Sequence, residues 1–318
     1  MKKKTIVLAL GGNAFQKNGE VTAEAQKAVA VQAGKLIAKL SQKYKVVVTH
    51  GNGPQVGNIL IHEEKAGTPE APAMPLETAG AMSQGEIGYW LTQAIDNAFN
   101  AEGKSRTAVS VVTQSVVDHN DPAFKHPSKP IGQFYSKAEA QKLAKQNKWT
   151  VIEDAGRGWR RVVPSPKPID IVEKCQIVNL INSGTVVVAV GGGGIPVYRT
   201  KIRKKIKGVD AVIDKDFGSE KLAELIYADI FVSVTAVPNA YLNYNQKTQS
   251  PLHRLSTKKA TEYIKQNQFA AGSMLPKVQA VTQFANRGGV GIITSIEKLE
   301  DALAGKAGTI ISKKLALK

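Results

Sequence analysis

Val186-Val187-Val188-Ala189-Val190-Gly191-Gly192-Gly193-Gly194-Ile195-Pro196 is the stretch that decides the fold class. Its apolar, β-branched half reads as a strand buried on both faces. Four glycines follow at the carboxyl end. In an open α/β sheet, ligands bind outside the carboxyl ends of the strands. Glycine there lets backbone N–H groups approach an anion closely. The chain repeats the device twice: Ile6-Val7-Leu8-Ala9-Leu10 runs into Gly11-Gly12-Asn13-Ala14, and Val46-Val47-Val48-Thr49-His50 runs into Gly51-Asn52-Gly53-Pro54-Gln55. One such loop is as readily an ordinary tight turn. Three at strand ends point to a site for more than one phosphate-like group. None matches Gly-x-Gly-x-x-Gly or Gly-x4-Gly-Lys-[Ser/Thr], so neither a dinucleotide fingerprint nor a Walker loop is present.

Outward from these loops, strand and helix alternate. Strand Thr5–Leu10 leads to a helix over Thr22–Leu40, strand Lys45–His50 to a helix over Pro54–Lys65, and a proline-rich break to a long helix over Glu77–Ala101. Strand Thr107–Thr113 closes this part. From Asp118 to Asp170 prolines and glycines break the rhythm, leaving one helix (Lys137–Asn147) and a short strand (Trp149–Glu153). The rhythm resumes with helix Ile169–Asn182, strand Thr185–Val190 and a hairpin-like stretch to Ile213. Helix Ser219–Ala228 follows, its Ser and Glu suited to a helix start. Then come strand Ile230–Thr235, helices Thr257–Asn267 and Pro276–Arg287, strand Val290–Thr294, helix Ser295–Ala304 and a last strand at Thr309–Ser312. Repeated β-then-α units predict a mostly parallel open sheet between two helix layers. The expected organisation is an acceptor-binding lobe (1–117 and 169–184), a protruding lid subdomain (118–168) and a nucleotide-binding lobe (185–318).

The 318 residues carry 43 Lys+Arg against 26 Asp+Glu, a net charge of +17. That balance reads either as nucleic-acid binding or as a lysine-rich surface around an anion site. The basic residues are scattered and no nucleic-acid motif appears, which favours the second reading and no specific nucleic-acid partner. Arg199, Lys201, Arg203, Lys204, Lys205 and Lys207 form one acid-free cluster, a solvated hairpin or a rim steering polyanions towards Gly191–Gly194. The apolar runs are strand-sized and the first residues lack a signal-peptide pattern, so a cytoplasmic protein without a membrane span is expected. The lone Cys175 excludes an intramolecular disulfide and reads as a small core residue. The histidines show no metal-ligand spacing, and no residue is assigned as a metal ligand.

Three lysines carry the chemistry. Lys277 follows Pro276 at a helix start, where a lysine is favourable only with an anion between it and the helix dipole. Lys215 lies between Asp214 and Asp216. Lys129 is pinned in Pro127-Ser128-Lys129-Pro130. Each has a plainer reading: a surface lysine, a local ion-pair cluster, a loop residue.

Taken together, these motifs resemble carbamate kinase, in the amino-acid kinase superfamily. The resemblance rests on Ala9–Ala14, His50–Gly57, Gln84-Gly85-Glu86-Ile87-Gly88-Tyr89-Trp90, Lys129-Pro130-Ile131-Gly132, Asp154–Pro166, Gly191–Pro196, Ala211–Asp216 and Gly272–Val278, and it spans nearly the whole chain. It implies reversible phosphoryl transfer between ATP and carbamate, giving ADP and carbamoyl phosphate, with Mg²⁺, in a homodimer. It also implies ATP formation in arginine fermentation. By matching motif, Gly11, Gly12, Asn13, Gly51, Asn52 and Gly53 line the carbamate side. Gly191, Gly192, Gly193, Asp214, Lys215, Met274 and Lys277 bind nucleotide. Lys129, Lys215, Asp216 and Lys277 are the catalytic set, with Asp216 organising the lysines. Val237-Pro238-Asn239 departs from the family pattern, in which an acid often follows the valine. A related kinase of another small carboxylate and a basic nucleic-acid-binding protein are the alternatives.

Overall fold

The computed structural model describes residues 3–11, 22–53, 55–154 and 156–313. Gly12, Asn13 and Pro54, singled out above, lie outside the described residues. The first half runs β1 (Lys4–Leu10), α1 (Ala23–Ser41), β2 (Tyr44–His50), α2 (Gln55–Ala66), α3 (Leu76–Ala101), β3 (Ala108–Ser110) and β4 (Gln114–Val117). Next come β5 (Lys129–Tyr135), α4 (Lys137–Asn147), β6 (Thr150–Glu153), β7 (Trp159–Val163), β8 (Pro168–Ile171) and α5 (Lys174–Asn182). The second half holds β9 (Val186–Val188), β10 (Ile195–Arg199), β11 (Ile206–Gly208), α6 (Lys215–Leu225), β12 (Ile230–Val234), β13 (Tyr241–Leu242) and β14 (Ser250–Pro251). It ends with β15 (Arg254–Ser256), α7 (Thr257–Lys265), α8 (Met274–Asn286), β16 (Val290–Thr294), α9 (Leu299–Leu303) and β17 (Thr309–Ser312).

Eight strands form the main sheet in the order β15-β17-β16-β12-β1-β2-β9-β3. All neighbours run parallel except β16 and β17. Alternation along β1 sorts the core into two layers. Ile6, Leu8 and Leu10 face α1, α3 and α9, while Val7 and Ala9 face α5, α6, α7 and α8. Strands buried on both faces explain the continuous valine runs, which carry no polar alternation. The mostly parallel open sheet expected from the sequence is the fold observed. Both halves of the chain feed this one sheet, and β9 lies between β2 and β3.

Several details differ from the sequence reading. The strand read at 107–113 is shorter: β3 covers Ala108–Ser110 and joins the main sheet, and a separate strand beyond that run, β4 at Gln114–Val117, pairs with β8 and β10 in a second sheet. Residues 169–171, read as helix, belong to β8, whose Ile171 is fully buried against the α5 side. Helix α6 starts at Lys215 rather than Ser219, because the Asp214 side chain caps it by accepting the Asp216 N–H at 2.9 Å. Ser219 and Glu220 are buried inside that helix. Cys175 is exposed on α5, because Ile177 and Ile181 take the inward face.

The excursion after Asp118 holds more structure than one helix and a strand. β5, β7 and β6 form a three-stranded antiparallel sheet. It docks through Ile131 and Val163 onto Val56 and Leu60 of α2 and Leu76 and Ala79 of α3. The basic cluster lies at the β10–β11 turn, where residues 201–207 are all exposed. No helix among the described residues is long and apolar enough to cross a membrane.

Helices α1 and α3 cross at Gly34, where an added Cβ would lie 2.7 Å from the Ala94 carbonyl carbon. Backbone cannot swing aside as a side chain does. Gly34→Ala is therefore expected to cost about 1–3 kcal/mol of stability, the usual range for core overpacking. A urea midpoint equal to that of the parent chain would contradict this packing.

Candidate active site

The carboxyl ends of β1, β2, β9 and β12 open on one edge of the sheet. Their loops are tied together there: Gly11 N–H donates to Val234 O at 3.1 Å, Gly51 N–H to Leu10 O at 3.1 Å, and Ala189 N–H to Val48 O at 2.9 Å. His50 is buried at the end of β2 with Nδ1 2.9 Å from Gly51 O. Burial pushes its pKa down to about 4 against the opposing Gly51 bond, which makes it a neutral structural ring at ordinary pH.

Strand β9 ends in backbone strain. Val190 is left-handed at φ 52°, a conformation that costs a β-branched residue free energy and concentrates at functional sites. Thr113 stabilises it by accepting the Val190 N–H on Oγ1 at 3.0 Å. Gln84 holds Thr113 in turn, accepting its N–H at 2.7 Å and donating to its carbonyl at 3.2 Å. Gly192 (φ 65°) and Gly193 (φ 94°) then turn the chain. A Cβ on Gly192 would fall 2.0 Å from Asn52 Oδ1, and one on Gly193 would fall 2.5 Å from Ile213 O. The glycine turn is thus wedged between the Gly51-Asn52-Gly53 loop and the segment leading into α6. Asn52 is oriented by Ser83, whose hydroxyl donates to Oδ1 at 3.0 Å.

Beside this turn, Asp216 gathers the lysines. Its Oδ1 accepts from Lys215 Nζ at 2.9 Å and its Oδ2 from Lys277 Nζ at 2.9 Å. Ser233, on β12, donates to Oδ1 at 2.8 Å. Lys277 is 9 % exposed, which excludes the surface-lysine reading. Two ammonium groups held this close, in a nearly dry place, repel each other unless anions lie between them. Asp216 is one such anion. Burial alone would push its carboxyl up, but Lys215 and Lys277 outweigh burial and hold it below the usual carboxylate range. Burial pushes Lys215 down to about 8, opposed by Asp216 and aided by the like charge of Lys277. Burial also disfavours the Lys277 ammonium, yet Asp216 outweighs it and holds that pKa above the ordinary value. The set therefore has cationic charge to offer a phosphate.

Lys129 reaches the same place from β5. Its Nζ lies 2.8 Å from Asp214 Oδ2, joining the three-stranded sheet to the cap of α6. Met274 opens α8 and packs, partly buried, against the core layer of α5, α6, α7 and α8. Asn239 is buried and donates to Leu252 O at 2.8 Å, holding the segment that follows β14. The structure thus brings together Lys129, Asp214, Lys215, Asp216 and Lys277, and packs Asn52 on Gly192. The sequence reading does not single out Ser233, Thr113 or Ser83, and it quotes Gln84 only within a motif, with no role of its own. Isolated hydroxyls and amides carry no spacing signal, and only their partners across the fold mark them.

The chain matches the model described as "Amino acid kinase family" over residues 4–295. A carbamate kinase of Latilactobacillus sakei is 48% identical over 98% of this chain and 100% of the relative. Carbamate kinase 2 of Enterococcus faecalis is 48% identical over 97% of this chain and 98% of the relative. Among solved structures, carbamate kinase from Giardia lamblia bound to AMP-PNP superposes with a TM-score of 0.92 at 44% identity, over 98% of this chain and 99% of that one.

The low pKa of Lys215 gives the site a pH signature. Its charge is lost above about pH 8, whereas an ordinary lysine keeps it to about 10.4. ADP affinity measured by calorimetry is expected to weaken as pH rises through 8. Lys215→Arg, whose guanidinium stays protonated, should flatten the profile. An affinity unchanged up to pH 10 in the parent chain would rule out this role for Lys215.

Proposed function

Because the chain belongs to the carbamate kinases of the amino acid kinase family and is a phosphotransferase, we propose that it moves a phosphoryl group between carbamoyl phosphate and ADP, giving carbamate and ATP. The single observation that carries the reading at this site is the Asp216 carboxylate holding the Lys215 and Lys277 ammonium groups apart beside the glycine turn. Phosphoryl transfer needs in-line positioning and cations at the equatorial oxygens, with little covalent help from protein. Lys215 and Lys277 supply those cations, and the α6 N-terminus and glycine N–H groups supply further donors. Carbamate departs as an anion, so the step needs no general acid, which fits a site where the one buried histidine is neutral.

Gly11, Gly12, Asn13, Gly51, Asn52 and Gly53 are assigned to the carbamoyl side. Gly191, Gly192, Gly193, Asp214, Lys215, Met274 and Lys277 are assigned to the nucleotide. Mg²⁺ enters as part of the metal–nucleotide substrate. Asp214 and Asp216 are both engaged by lysines, and the described residues hold no cluster of three potential ligands that would cage the ion alone. The donor set fits an ion carried mainly by phosphate oxygens and water, as Mg²⁺ commonly is. Residues 118–168 form a lid over the acceptor, and Lys129 exchanges Asp214 for a substrate oxygen as the lid closes. Closure also keeps water from the mixed anhydride. The mixed anhydride is the stronger phosphoryl donor, so the direction assigned is ATP formation at the end of arginine fermentation. The assembly assigned is a cytoplasmic homodimer.

Lys277→Ala should fold as before but lose about 10²–10³-fold in turnover in an assay of ATP formation from ADP and carbamoyl phosphate. Turnover near that of the parent chain would remove Lys277 from the reaction. Lys129→Ala should cut turnover while ADP affinity by calorimetry stays nearly unchanged. Loss of ADP affinity in step with turnover would place Lys129 on the nucleotide rather than on the lid.

A further inference from the structure

We propose that two buried hydroxyls of the central sheet, Ser233 and Thr49, are positioning residues that fix the first turn of α6 and so set where Lys215 and Asp216 stand. The proposal rests on the phosphotransferase reading and adds residues to it. Strand register places the two hydroxyls in one row: Ala9 of β1 is the partner of Ser233 on β12 and of Thr49 on β2. Side chains two positions apart share a face of a strand. Val7, Phe231 and Val47, two residues earlier on these strands, all belong to the apolar layer under α6 and α8. Ser233 and Thr49 therefore point into that layer, and both are fully buried.

A hydroxyl in an apolar layer costs free energy unless it is hydrogen-bonded. Both of these bond to the same helical turn. Ser233 donates to Asp216 Oδ1 at 2.8 Å. Ser219 gives its single proton to Lys215 O at 2.6 Å, so across the 2.5 Å Thr49–Ser219 contact Thr49 is the donor. Ala9, between them, has only a methyl group to place beneath the helix. From the other side, Gly218 leaves room for Gly193, since a Cβ there would lie 2.7 Å from Gly193 Cα. The turn bearing Lys215 and Asp216 is thus held by two hydroxyls below and the glycine turn beside it.

The lysines do not do this by themselves. A lysine ammonium is a mobile charge on a flexible stem and does not fix the plane of a carboxylate. Ser233 does, because β12 is paired on both sides, with Ala9 and with Ile293. A carboxylate locked in plane keeps one oxygen for Lys215 and the other for Lys277, and the spacing of the two cations follows from the sheet. Small misplacements of positioned groups cost rate far more than binding.

The test uses Ser233→Ala, Thr49→Val, which keeps the shape and removes the hydroxyl, and Thr49→Ser, which keeps the hydroxyl. ATP formation from ADP and carbamoyl phosphate gives kcat and KM, calorimetry gives ADP affinity, and a melting curve gives stability. Ser233→Ala and Thr49→Val are each expected to lower kcat about 10-fold with KM for ADP within about 2-fold, the pattern of an interaction felt in the transition state. Thr49→Ser should keep kcat within about 2-fold of the parent chain. The proposal is overturned if both hydroxyl-free variants keep the parent kcat and merely melt earlier. It is equally overturned if Thr49→Ser is as slow as Thr49→Val, or if ADP affinity collapses in step with kcat. A parent chain that makes no ATP fails the assigned reaction and this proposal with it; an active parent beside equally fast variants fails this proposal alone.

Discussion

One carboxylate shared by two ammonium groups, inside the protein, is the interaction on which the site depends. Asp216 is 3 % exposed, Lys277 is buried, and Lys215 is mostly buried. A buried ion pair of this kind is poor evidence for stability, because desolvation offsets most of the Coulombic gain. Its value lies in the imbalance. Two positive charges face one negative charge in a low dielectric, which disfavours Lys215 as a cation and holds Asp216 ionised. A phosphate brought to the lysines relieves that imbalance. The repulsion between the two ammonium groups is thereby available as free energy for binding an anion.

Strain and close packing place the glycine turn relative to that pair. Val190 adopts its left-handed conformation because Thr113 receives its N–H, and Thr113 is held by Gln84 from α3. Gly192 rests on Asn52, and Gly193 rests on Ile213 and against Gly218. A single turn therefore couples the loop after β2 to the first turns of α6. Side chains at these glycines would force the two apart, so the apolar β9 strand and the small residues after it act as one unit.

The three-stranded sheet joins the rest by two kinds of contact. An apolar patch of Ile131 and Val163 on Val56, Leu60, Leu76 and Ala79 supplies non-directional adhesion. Two ion pairs supply direction: Lys129 with Asp214, and Arg161 with Asp210 at 3.0 Å. The acids of both lie on the segment leading into α6, and the lysine pair is partly exposed, so that ion pair adds little to the adhesion of the apolar patch.

What the sequence by itself determined is the layered sheet and which charged residues to look for at the candidate site. Valine-rich runs with no polar alternation read as strands covered on both faces, and glycines at their carboxyl ends picked out the edge at which the loops meet. Lys129, Asp214, Lys215, Asp216 and Lys277 stood out because charge beside proline or at a helix start has few structural uses. Tertiary structure alone decided how they meet. The cap of α6 was misplaced to Ser219, because Ser-Glu and Asp-Lys-Asp are equally good local starts, and only the packing of Ser219 onto Thr49 chooses between them. The strands β5, β7 and β8 were hidden because short, proline-flanked segments gain their stability from partners far along the chain. The roles of Ser233, Thr49 and Thr113, and the grip of Gln84 on Thr113, were silent for the same reason: a hydrogen bond between residues 17 to 170 positions apart leaves no periodicity to read.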